Sequence, residues 1–145
     1  MARKKYKKKT REPRGRADLS RPLFYEFPFP PSVNGYWRHF RGHFIVSPRG
    51  KAYKAGIVAA TPDVPCVRDP CILIATFHPP TLQARDLDNY PKGLLDAMKD
   101  CGIIEDDVLI REMHTRWGSV VKGGLVSLSL HRYNCEIWNR LFASQ

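Results

Sequence analysis

No stretch of this 145-residue chain approaches the ~20 consecutive apolar residues needed to cross a bilayer, so a membrane-spanning helix is excluded. The opening MARKKYKKKTREPRGR is basic but holds no apolar segment of the kind a signal peptide carries. Cysteine is scarce, and Cys66, Cys71, Cys101 and Cys135 form no CxxC pair and no zinc-ligand spacing. Free, mostly buried thiols in a reducing cytoplasm are the expectation. There is no internal repeat. Acidic residues are the minority, 14 against 24 basic, which leaves a net charge of +10. An excess of that size points to a polyanionic partner, nucleic acid before an anionic membrane. Apolar residues are not lacking: at 43% hydrophobic and 11% aromatic the chain is not disordered, and its length suits one domain with a core of its own.

The charge is unevenly placed. Residues 1–22 carry ten Lys/Arg against Glu12 and Asp18, a net of +8, and the remaining 123 are close to neutral. With Pro13, Gly15 and Pro22 and no apolar periodicity, residues 1–22 read as a flexible basic arm ahead of a single domain over residues 23–145. Lys4, Lys5, Lys7, Lys8 and Lys9 form its densest run. Such a run serves either as a solvated tail or as a grip on phosphates.

Local signals outline the body. Leu23–Phe29 is aromatic-rich and reads as a first strand, which Pro28 keeps at an edge or end. In the next segment Arg38, Arg41, His39 and His43 alternate with Tyr36, Trp37, Phe40 and Phe44. That mixture suits a loop that touches phosphates and stacks on bases, or a short hairpin whose rings pack on the body. Ser47 and Pro48 open a helix with Tyr53, Ile57 and Ala60 on its apolar stripe and Lys51 and Lys54 outside it. Residues 62–70 read as a Pro-rich linker, and Cys71–Phe77 as a central strand. A second helix, capped by Asp88 or Asn89 with Pro91 in its first turn, runs to Gly102 on a Leu94, Leu95, Met98, Cys101 face. Strands 112–121 and 125–132 follow as a hairpin about Lys122-Gly123-Gly124, and a short helix is expected from Asn134. The pattern is an α+β fold, a mixed sheet with two main helices packed on it.

The informative stretch runs from Arg85 to Asp107. In extended backbone Asp86 and Asp88 would face one side while Leu87 turns to the core. Asp106 and Asp107 follow a helix and a tight turn at Gly102, which could bring the carboxylates together. Carboxylates ~4 Å apart repel by about 4 kcal/mol at an effective dielectric near 20, so a cluster needs a cation or raised pKa values. Hard oxygen donors without Cys or His suit Mg²⁺ or Mn²⁺. Lys92, four residues after Asp88, would add a phosphate partner beside them. Turn and cap chemistry for the two aspartates, and a plain surface pair for Lys92, explain the same spacing.

PPSVNGYWRHFRGHFIVSPRGKAYK, RDLDNYPKGLLDAM, GIIEDDVLI and the late KGG turn together resemble the RusA family of Holliday junction resolvases, in the family's order and over roughly residues 24–131. The resemblance implies a small homodimeric, Mg²⁺-dependent endonuclease of a bacterium or phage, working in the cytoplasm at the nucleoid. Such enzymes resolve four-way DNA junctions by paired symmetric nicks during recombination or repair. It implies metal-binding roles for Asp86, Asp88 and Asp107, an active-site role for Lys92, a neighbouring acid in Asp106 and a basic position beside the site in Arg85. Arg38, Arg41, Trp37, Lys51, Lys54 and the lysines of the arm are the accompanying candidates for DNA binding. A non-catalytic nucleic-acid-binding accessory protein is the alternative; it explains the arm but not four clustered acids in a chain that grips polyanions.

Overall fold

The computed structural model describes residues 14–134 and Glu136. Its centre is β4, Cys71–His78, in which Cys71, Leu73, Ala75 and Phe77 alternate inward and are fully buried. Each such side chain contributes roughly 1.5–3 kcal/mol when large and fully buried. Strand β4 lies between β5, Ile110–Trp117, which runs parallel to it, and β6, Leu125–Arg132, which runs antiparallel. Strand β1, Leu23–Pro28, pairs antiparallel with β6 at the sheet edge, where Pro28 ends it. The four-stranded order is β1-β6-β4-β5.

This order corrects the expected hairpin. Gly123 and Gly124 do turn the chain, with φ of 79° and 69°. However, β5 and β6 are not partners, because β4 sits between them. Strand β4 is the most apolar of the three, so flanking it on both sides satisfies its backbone groups where water is excluded.

Two longer helices and a single helical turn complete the core. Helix α1, Val33–Tyr36, is a single turn ahead of a small hairpin, β2 (Trp37–Phe40) with β3 (His43–Val46). Helix α2, Pro48–Ala60, starts as its sequence predicts: the Ser47 hydroxyl accepts from the Gly50 amide at 3.0 Å. Tyr53 and Ile57 are buried, but Ala60 is exposed at the last position. Gly50 is needed for close approach, since a Cβ there would lie 2.7 Å from Val46 Cγ1 and 2.8 Å from the Tyr36 carbonyl oxygen. Helix α3, Pro91–Asp100, buries Leu94, Ala97 and Met98. Neither Asp88 nor Asn89 caps it. Tyr90 holds the cap position without a side-chain hydrogen bond, after a separate 3₁₀ turn over Leu87–Asn89.

Two further expectations need correction. The stretch from Arg14 to Pro22 is not a free arm. Arg16 pairs with Cys66 in a parallel bridge, the Ala17 amide donates to the Cys66 carbonyl at 2.9 Å, and Ala17 and Leu19 are each only 4% exposed. The segment 62–70 is not a linker either. Val67 is fully buried and bridges to Ile104. The apolar pair Cys66-Val67 pulls both neighbouring segments onto the body, and Arg16 Nε to Asp69 at 3.2 Å fixes the edge. The densest lysine run, Lys4 to Lys9, lies outside the described residues, as does nearly all of the helix expected from Asn134. Cys66, Cys71 and Cys101 are buried, as expected. No helix among the described residues is long and apolar enough to cross a membrane.

Candidate active site

Four aromatic rings build the floor on which the acidic segment rests. Tyr90 packs against Phe29 at 5.0 Å, Trp117 at 5.6 Å and Phe77 at 6.3 Å between ring centroids. This cluster pins the 3₁₀ turn and the start of α3 to the sheet. Leu87 turns into the core between Asp86 and Asp88, both exposed, so the alternation read from the sequence holds. The backbone differs: Asp86 is extended (φ −86°, ψ 123°), and Asp88 already lies in the turn. Neither carboxylate has a side-chain partner among the described residues.

The helix then carries the positive groups. Lys92 Nζ donates to Asp96 Oδ1 at 2.7 Å and lies 3.7 Å from Asp107 Oδ2. Two turns on, Lys99 Nζ lies 3.3 Å from Asp106 Oδ2 and 3.8 Å from Asp107 Oδ1. Asp107 thus sits between two ammonium groups of one helix face. Asp106 caps the 3₁₀ turn Asp107–Leu109, accepting from the Val108 amide at 3.1 Å. That amide first, and then hydrogen bonds from its neighbours including Lys99, hold the Asp106 carboxyl below the usual carboxylate range. The Asp96 hydrogen bond, aided by Asp107, raises Lys92 above its ordinary value, so it is a cation at neutral pH.

The acids are therefore brought to neighbouring elements, but they do not converge. Among the described residues no group of three or more His, Cys, Asp or Glu side chains is gathered closely enough to hold a metal ion. Exposed carboxylates keep their hydration and repel one another, while Asp107 is met by lysines. As a donor set, Asp86, Asp88 and Asp107 offer only hard carboxylate oxygens, two of them unpartnered in solvent, and this chemistry fits Mg²⁺ or Mn²⁺.

The candidate DNA-binding residues divide. Arg85 folds back on its own loop, donating to the Thr81 carbonyl at 3.0 Å, the Gln83 carbonyl at 2.8 Å and Thr81 Oγ1 at 2.9 Å. With Trp117 and Val120 it lines a groove of about 360 Å³ next to Asp86. Arg38 and Arg41 are exposed on the hairpin and stack over the Phe40 ring, 5.7 and 5.2 Å from its centroid. Lys51 is exposed, whereas Lys54 is half-buried and paired with Asp100 at 3.0 Å. Trp37 points inward: its indole Nε1 donates to Asp96 Oδ2 at 3.0 Å. Sequence reasoning missed Asp96 and Lys99. The i,i+4 spacing of Lys92 and Asp96 was the available signal for the first.

Comparison with known proteins decides the family. Residues 28–126 match the family model described as Endodeoxyribonuclease RusA. The chain belongs to the RusA endodeoxyribonuclease family. Over 107 residues, 71% of this chain and 88% of the relative, it is 35% identical to the crossover junction endodeoxyribonuclease RusA of Escherichia coli strain K12. Over 111 residues, 73% of this chain and 92% of the relative, it is 29% identical to the protein of that name from Enterobacteria phage HK97. As a RusA-family member the chain is a nuclease, and the mixed α+β architecture above is consistent with that family. The matched span starts at Pro28 and takes in the whole acidic segment and both lysines of α3. The basic arm and the docked strap at 14–22 lie outside it.

Proposed function

We propose that this nuclease resolves four-way DNA junctions by paired symmetric nicks, as a homodimer that uses Mg²⁺ or Mn²⁺ held by Asp86, Asp88 and Asp107. The observation that carries the reading is Asp107 set between Lys92 and Lys99 of α3, with two exposed aspartates, without side-chain partners among the described residues, at the 3₁₀ turn that leads into the same helix. The names of the curated relatives, crossover junction endodeoxyribonucleases, point to the same substrate. Family membership as a nuclease sets aside the non-catalytic accessory protein.

Phosphodiester hydrolysis asks for an activated water, in-line attack and relief of the charge that develops on the phosphate. Held by Asp86, Asp88 and Asp107, a divalent ion would supply Lewis acidity and lower the pKa of a water bound to it. The chain's own residues do the rest. Asp86 and Asp88 supply acidic donors from one exposed turn, and Leu87 between them anchors that turn to the core. Lys92 holds a positive charge beside Asp107, where it steadies the scissile phosphate or orients the water. Arg38, Arg41 and Lys51, with the lysines of the arm, grip phosphates away from the chemistry and carry no sequence information. A two-fold dimer would present one site to each of two opposed strands. Its setting would be the nucleoid of a bacterial or phage-infected cell, in recombination or repair.

The test is direct incubation with a four-way junction, a linear duplex and a small phosphate ester, each with Mg²⁺ and with EDTA. Paired nicks in the junction alone, and only with the metal, are expected. Equal cutting of the linear duplex, or cutting in EDTA, overturns the proposal.

A further inference from the structure

We infer that Asp96 is a positioning residue for Lys92, and that the Trp37 indole fixes Asp96 in that task. The inference rests on the active-site role proposed above for Lys92. An i,i+4 ion pair on a helix surface is ordinarily weak, because two mobile side chains must be held in water. This pair is different. The Asp96 side chain is only 13% exposed, against 56% for Lys92. Its two oxygens have separate donors: Lys92 Nζ on Oδ1 at 2.7 Å, and Trp37 Nε1 on Oδ2 at 3.0 Å. Trp37 is itself braced edge-on against the buried ring of Tyr36, 5.3 Å between centroids.

The consequence is geometric. A lysine ends in a point charge on a flexible four-carbon stem. Asp96 cannot turn away without losing the indole, so it anchors one side of the ammonium. The other side is then directed toward Asp107 at 3.7 Å instead of toward bulk water. Both Asp96 oxygens are engaged, which sets it apart from Asp86 and Asp88, whose carboxylates have no side-chain partner among the described residues. Asp96 therefore acts through Lys92. The hairpin residue Trp37, 59 positions away in sequence, becomes part of the support.

The experiment measures single-turnover cleavage of a four-way junction, junction affinity and the Mg²⁺ concentration giving half the maximal rate. The variants are Asp96→Asn, Trp37→Phe and Lys92→Gln, each checked for folding by circular dichroism. An asparagine oxygen cannot serve both donors. Asp96→Asn is expected to slow cleavage about 10–100-fold, the usual effect of removing an outer support, with affinity and Mg²⁺ requirement unchanged. Trp37→Phe keeps an aromatic ring beside Tyr36 but loses the pyrrole half with its N–H, and is expected to slow cleavage in the same sense by less. If Asp96→Asn fails to fold, Trp37→Phe carries the test alone. Wild-type cleavage by both Asp96→Asn and Trp37→Phe, with Lys92→Gln slow, overturns the positioning role. A raised Mg²⁺ requirement in Asp96→Asn overturns it too, by making Asp96 a metal ligand. Wild-type cleavage by Lys92→Gln overturns the underlying reading of Lys92 instead.

Discussion

Trp37 on the hairpin donates its indole N–H to Asp96 on α3 at 3.0 Å. The bond turns an aromatic residue that suits base stacking into a brace for the helix that carries Lys92 and Lys99. The exposed rings of the hairpin are instead Phe44, 76% exposed, and Phe40 with Arg38 and Arg41 over it.

Neutralising the acids should separate chemistry from grip. Asp88→Asn and Asp107→Asn are each expected to lose about 10²-fold or more of the cleavage rate, the scale of removing one preorganised charged group. Junction binding in a gel-shift assay should survive. Isothermal titration should show Mg²⁺ binding weakened in both, and EDTA should stop the unsubstituted protein until Mg²⁺ is returned. Cutting at the unsubstituted rate by either variant removes that aspartate from the site.

The basic N-terminal segment divides into two parts with different expected roles. Deleting residues 2–13 removes seven Lys/Arg ahead of the docked strap. Binding should weaken and its salt slope flatten by roughly 0.9 for each phosphate no longer neutralised, with cleavage at saturating enzyme little changed. An unchanged slope assigns those residues to solubility.

Extending the cut into the strap should instead cost stability. Leu19 is 4% exposed in the core, so Leu19→Ala is expected to lower unfolding free energy by about 2–4 kcal/mol in urea titration. A residue in a free arm would cost nothing, so an unchanged midpoint would return residues 14–22 to the arm.

The charge on Lys92 fixes a pH expectation. Hydrogen bonding to Asp96, and then the pull of Asp107, raise its pKa above the ordinary 10.5. A raised value keeps the ammonium, and whatever depends on it, present below 10.5 and loses it only as pH climbs through the higher value. Cleavage should therefore show no Lys92-dependent fall between about pH 7 and 9.5. A fall in that window that Lys92→Arg abolishes would show an ammonium lost well below 10.5, and would overturn the raised value.

The legible parts of the molecule were those set by neighbours in sequence. Ser47 and Pro48 start α2 because capping is settled within one turn. The Asp86-Leu87-Asp88 alternation survives because an apolar residue between two charged ones has one face to choose. The candidate site was legible as a motif, Asp86, Asp88, Lys92, Asp106 and Asp107, for the same reason. Its helix start was not: Tyr90 is drawn into the aromatic cluster, so the chain makes a 3₁₀ turn before α3 where a side-chain cap was expected.

By itself, then, the sequence determined the α+β class, a central apolar β4, the helices after Ser47 and Pro91, and the run of acids and lysines between Asp86 and Asp107 that makes the candidate site. These follow from periodicity, caps and short motifs, which act over a few residues. Only the tertiary structure decided that β4 separates β5 from β6, that Ala17 and Leu19 are core, and that Trp37 and Asp96 hold Lys92. Those are choices of partner between distant segments. They depend on which apolar surfaces and which hydrogen-bonding groups meet when water is excluded, and no local pattern encodes that meeting.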